Sequence, residues 1–121
     1  MSVVIAYRGE LLDTIEQQAK LREEKANEEP HDARNVKVAA ALRLLYEEVG
    51  ALPEDSPELV QLATLWYSTA DEDVRKALAE RAIEVLWVYR FGAMGAPETD
   101  EDPASFLRHL AQEFKEVLGT R

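Results

Sequence analysis

Two histidines, His31 and His109, are the only imidazoles in the chain, and there is no cysteine. Thiolate metal sites, cysteine nucleophiles and disulfide frameworks are therefore excluded. His109 and Glu113 stand four residues apart, the spacing that puts two side chains on one face of a helix. Glu28-Glu29-Pro30-His31 contains the Glu-x-x-His letters that di-iron bundles place on two helices. Here the pattern occurs once, and Pro30 interrupts the helix that would have to carry it. No Gly-x-Ser-x-Gly elbow positions a serine nucleophile. Gly92-Ala93-Met94-Gly95 lacks the spacing of a phosphate loop or a dinucleotide fingerprint, so no cofactor is expected.

Carboxylates are plentiful: 24 Asp and Glu against 14 Lys and Arg, a net charge of −10. Glu113-x-x-Glu116 and Glu10-x-x-Asp13 have a spacing similar to that of all-helical nucleotide pyrophosphohydrolases, which gather acids from adjacent helices around Mg²⁺. The glutamate pair comes last in this chain, however, and the order and separation of the pairs depart from that family. A metal-dependent enzyme using clustered carboxylates and His109 is kept as one alternative. The charge itself disfavours direct binding to nucleic acid or to an acidic membrane surface and favours cationic partners. The basic residues are dispersed, with no stripe interleaved with aromatics. An acidic inhibitor that mimics nucleic acid is a second alternative.

These residues need a scaffold, and the patterning predicts an all-α one: a single domain, residues 1–121, built as a bundle of about five helices. Ala, Leu, Glu, Lys, Arg and Gln dominate, and alternating runs of β-branched residues are missing. A first helix over roughly 8–28 carries Leu11, Leu12, Ile15 and Ala19 on one face and turns polar all round after Leu21. A second starts near Asp32 and meets Gly50. Its main face is Val38, Ala41, Leu42, Leu45 and Val49, widened by Val36, Ala39, Ala40 and Leu44, which predicts a helix deep in the bundle. A third is announced by Ser56-Pro57-Glu58, a cap, a first-turn proline and an acid at the positive end. Thr69 and Glu72 fit a capping box for a fourth helix running to about Phe91. A fifth opens at Asp102-Pro103 and closes at Gly119, with Phe106, Leu107, Leu110, Phe114, Val117 and Leu118 as its apolar face. The second and fourth helices are expected to be central. Helix and loop lengths vary too much for a repeat.

The fourth helix has two apolar stripes. Val74, Leu78, Ala82, Val85 and Tyr89 fall on one side at 100° per residue; Ile83, Trp87, Phe91 and Met94 fall on the other. Either both stripes are core, or the second waits for a partner. An uncovered stripe of this kind would be a large exposed patch with a tryptophan of the sort that anchors interfaces. The leading expectation is a small acidic non-enzymatic protein acting through protein–protein contact, as a homodimer or within an assembly. Its candidate contact residues are Ile83, Trp87, Phe91 and Met94, with the acidic loop 96–102 (Glu98, Asp100, Glu101 and Asp102) guiding a partner electrostatically. The longest apolar run near the start, Val3 to Tyr7, is too short for a secretory signal or a membrane span, and a cytoplasmic location is expected.

Overall fold

The computed structural model describes residues 3–31, 33–86 and 103–119, and within them the backbone forms five α-helices. They are α1 (Val3–Glu28), α2 (Ala33–Gly50), α3 (Pro57–Trp66), α4 (Glu72–Val85) and α5 (Pro103–Gly119). The all-α bundle expected from the patterning is what the chain forms. α1 begins five residues before the predicted start at residue 8, because Tyr7 continues the apolar face of Leu11, Ile15 and Ala19 by one more turn and is itself buried.

One core runs through all five helices. Tyr7, Leu11, Ile15 and Ala19 of α1 meet Val38, Leu42, Leu45 and Val49 of α2, Leu59, Leu62 and Ala63 of α3, Leu78, Ala82 and Val85 of α4, and Phe106, Leu107, Leu110, Ala111 and Phe114 of α5. Three rings from three helices meet, Tyr7 and Phe114 in the core and the partly buried Trp66 packed against it. The Tyr7 ring centroid lies 5.6 Å from that of Trp66 and 6.3 Å from that of Phe114, and Trp66 lies 6.2 Å from Phe114. Tilted and edge-on arrangements at these distances are the favourable ones for aromatic pairs. Burial pushes the Tyr7 phenol far above its ordinary range, and the nearby Glu10 charge adds to it.

The interior is shared differently from the expectation that the second and fourth helices are central. α1 packs on α2 and α3, and α5 packs on α3 and α4, so α1, α3 and α5 each lie between two neighbours. α2 leans mainly on α1. Its widened apolar face is not core: Val36 and Leu44 are 58% and 55% exposed, and Ala40 is exposed with them. The other described helices reach only one side of α2, and of the four widening residues only Ala39 is buried.

Two helix starts also differ in detail. At α4 the cap is Asp71, whose carboxylate accepts from the amides of Asp73 and Val74 at 2.9 and 3.4 Å. Thr69 stands two residues earlier, its hydroxyl oxygen accepting from the Asp71 amide at 3.1 Å. The expected Thr69–Glu72 box is therefore replaced by a simple aspartate cap two residues later, an aspartate being as good a cap as threonine or better. At α3, Ser56 occupies the cap position without a side-chain cap bond. Its hydroxyl donates instead to Glu58 Oε2 at 3.3 Å. Glu58 Oε1 in turn lies 3.2 Å from Arg108 Nη1, which ties the start of α3 to α5.

α1 and α2 form a long antiparallel hairpin. At 1.5 Å per residue α1 is about 39 Å long, and beyond Ala19 none of its residues is buried. The outer half of the hairpin is joined by polar links. Arg22 Nη1 donates to Asn35 Oδ1 at 2.8 Å, and Arg43 makes a two-pronged contact with Glu23 at 2.8 and 3.2 Å. The Arg43 hydrogen bond holds the Glu23 carboxyl below its usual range. At the other end, Arg8 Nη1 donates to the Leu52 carbonyl at 2.6 Å and pins the connection between α2 and α3. No helix among the described residues is long and apolar enough to cross a membrane.

Candidate functional site

One of the two acidic pairs singled out by spacing, Glu113 and Glu116 of α5, meets Arg81 and Glu84 of α4. Arg81, one turn before the described end of α4, points its guanidinium across to α5. Its Nη1 lies 3.3 Å from Glu113 Oε2 and 3.8 Å from Glu116 Oε2, while its Nε lies 3.4 Å from Glu84 on the same helix. One cation thus serves three carboxylates. The excess negative charge has a consequence on Glu113. A hydrogen bond with the Glu116 carboxyl, partial burial and the Glu116 charge together raise its pKa, against the opposing pull of Arg81 and His109. The pair holds a proton more tightly than two separate glutamates would. Beside it lies an open trough of about 530 Å³ lined by Ala77, Glu80, Arg81, Glu84, Glu116 and Val117.

His109 and Glu113 do share a face of α5, close enough for the imidazole to influence the carboxyl. His31 does not join them: it sits exposed in the turn before α2. Glu10 and Asp13 are exposed on α1. Among the described residues no three His, Cys, Asp or Glu side chains are arranged to hold a metal ion. The physical reason at the α4–α5 pair is that the Arg81 guanidinium already occupies the position of the counter-ion. The described residues thus offer no ligand set for the metal-dependent reading.

Of the predicted contact stripe, Ile83 is half-buried on α4. At Leu86 the backbone is still right-handed helical, φ −56° and ψ −40°. Trp87, Phe91, Met94, Glu98, Asp100, Glu101 and Asp102 lie outside the described residues.

The outer face of α2 is the surface that sequence reasoning assigned to the core. Ala33, Val36, Ala40 and Leu44 follow one another along it at three- and four-residue steps, and all are exposed. Lys37 and Glu47, also exposed, border the stripe near its two ends. A small residue, Ala40, lies between two larger ones one turn away on either side. Charge divides along the helix: Arg34, Lys37 and Arg43 precede Glu47 and Glu48. α2 has three basic and two acidic residues, the one described helix with a basic excess in a chain of net charge −10.

Comparison with known proteins adds no name to this geometry. The chain matches no family model, no curated protein and no solved structure. A functional reading therefore rests on the two surfaces just described.

Proposed function

We propose that this is a non-enzymatic helical protein that works by protein–protein contact. The observation that carries the reading is the outer face of α2, where Val36 and Leu44 are each more than half exposed on a chain otherwise rich in charge. Single exposed apolar residues are ordinary on any surface; an aligned apolar stripe bordered by opposite charges is the arrangement that helix-on-face recognition uses. The α4 stripe of Ile83, Trp87, Phe91 and Met94, with Glu98, Asp100, Glu101 and Asp102 as an acidic guide, is retained in the proposal as a second contact region. The expected setting is the cytoplasm.

The test is affinity capture from the native cell together with measurement of molar mass in solution, comparing the wild type with Leu44→Asp and Trp87→Ala. Loss of a captured partner or of self-association in either folded variant is the expected result. Unchanged association in both variants would remove the contact reading at these surfaces.

The acidic trough favours a second reading, contact with a basic partner. Glu80, Glu84 and Glu116 line it, with Glu113 nearby and Arg81 as the basic residue among the described lining. Such contact would weaken steeply between low and moderate salt. An association that ignores ionic strength would count against it.

A further inference from the structure

Resting on the contact reading above, we infer that the outer face of α2 is a self-interface, on which the α2 helix of a second copy packs antiparallel. Three observations lead there. The first is the exposed stripe itself, Val36, Ala40 and Leu44, which no other described helix covers. The second is its size pattern. In an antiparallel pair related by a two-fold axis near residue 42, Leu44 of each copy falls opposite Ala40 of the other, large against small. That is how side chains of two helices interdigitate at close approach. The third is charge. Lys37 then falls opposite Glu47 of the second copy, and this pairing occurs twice because a two-fold interface is self-complementary. A parallel arrangement would instead stack Arg34 and Lys37 on their own copies, and Glu47 and Glu48 on theirs, which repels. Antiparallel alignment also sets the two helix dipoles against each other favourably.

The charge balance of the outer face of α2, with Arg43 already held by Glu23 of α1, bears on the choice of a second copy. Two chains of net charge −10 repel at long range, and a face lined with acids would add to that. The outer face of α2 sets Lys37 against Glu47 and so does not add to it. A single helix face is small beside the roughly 1,200–2,000 Å² of standard stable interfaces, so the dimer should be weak and concentration-dependent, and stronger when salt screens the net charge.

Sedimentation equilibrium of the intact chain over a wide concentration range tests this. The wild type should dimerise, and Leu44→Asp should abolish it while the helical circular dichroism spectrum stays unchanged. Lys37→Glu and Glu47→Lys should each weaken the dimer about tenfold, since two attractive pairs become repulsive. The double variant should regain most of the loss. Because the chain has no cysteine, a mixture of Ala40→Cys and Leu44→Cys chains can be oxidised cleanly, and the 40–44 cross-link should form in preference to 40–40 or 44–44. A wild type that is monomeric at every concentration would overturn the self-interface, while capture of a different protein that is lost in Leu44→Asp would leave the contact reading standing. A dimer indifferent to Leu44→Asp, with no preferred 40–44 cross-link, would overturn the α2 interface and move self-association to another face.

Discussion

Phe114→Ala is the substitution that the aromatic cluster of Tyr7, Trp66 and Phe114 makes most informative. The ring is completely buried, and its centroid lies 6.3 Å from that of Tyr7 on α1 and 6.2 Å from that of Trp66 on α3. Truncation therefore removes apolar burial and empties the space between three helices at once. Phe→Ala changes at such sites cost about 3–5 kcal/mol, and each aromatic pair contributes about 0.5–1.5 kcal/mol beyond area burial. With two pairs lost, the expected cost is in the upper half of that range, about 4 kcal/mol. A domain of this size has a total stability on the order of 10 kcal/mol, so the variant should fold but unfold at a midpoint roughly 2 M lower in urea for an m-value of about 2 kcal/mol/M. Phe114→Leu keeps most of the volume and loses only the ring geometry, and should cost about 1–2 kcal/mol. A double-mutant cycle of Phe114→Leu with Trp66→Leu should return a coupling of about 1 kcal/mol. A loss under 1 kcal/mol for Phe114→Ala, or no coupling in the cycle, would refute the assignment of these rings to one packed centre.

Three other substitutions test separate parts of the fold. Asp71→Ala should cost about 1 kcal/mol by removing the α4 cap, whereas Glu72→Gln should stay within about 0.5 kcal/mol, because Glu72 makes no capping-box bond; chemical denaturation separates the two. Glu113→Gln should be neutral or stabilising at neutral pH. A carboxyl whose folded pKa is raised loses stability as pH climbs from its unfolded value through its folded one, so the advantage of the glutamine should appear over that window and vanish below it. Melting temperatures compared across acidic and neutral pH would show this, and an advantage that grew on acidification would contradict the sign. Leu45→Asp should unfold the protein, since it places a carboxylate in a fully buried site. Leu44→Asp, one residue away, should change stability by no more than about 0.5 kcal/mol, a contrast that circular dichroism can read directly.

The helices were legible because their apolar spacing is strong and their ends are punctuated. Pro57 and Pro103 sit where α3 and α5 begin, and the inward faces of α1, α2 and α5 fall on the residues that the 3.6 period selects. What periodicity cannot supply is which side of a helix has a neighbour. α2 is apolar over much of its circumference, and a helix of that kind reads as central. Only the placement of α1 on one flank, with solvent on the other, shows Val36 and Leu44 to be surface. The same limit applied to Glu113 and Glu116. Their spacing was visible, but the Arg81 guanidinium that closes on them comes from 32 positions earlier in the chain for Glu113, and no local pattern predicts that meeting. The cap at Asp71 differs from the expectation for another reason: Thr69 and Asp71 are both good caps, and residue type alone does not choose between them.

The link from Arg22 to Asn35 has a bearing on more than the strength of the α1–α2 hairpin. Asn35 is nearly buried, and its partner is fixed at 2.8 Å. Slide α2 along α1 by one turn, about 5.4 Å, and Val38 or Ala39 would arrive at Arg22 in its place, while Asn35 would be carried out of reach. An apolar seam alone tolerates such a slip, since Leu and Val layers repeat from turn to turn; a buried amide matched to one guanidinium does not. This contact works as an index mark on the hairpin. By setting the alignment of α2 against α1, it also sets where Lys37, Ala40, Leu44 and Glu47 stand on the outer surface, and so at what height a second helix could dock.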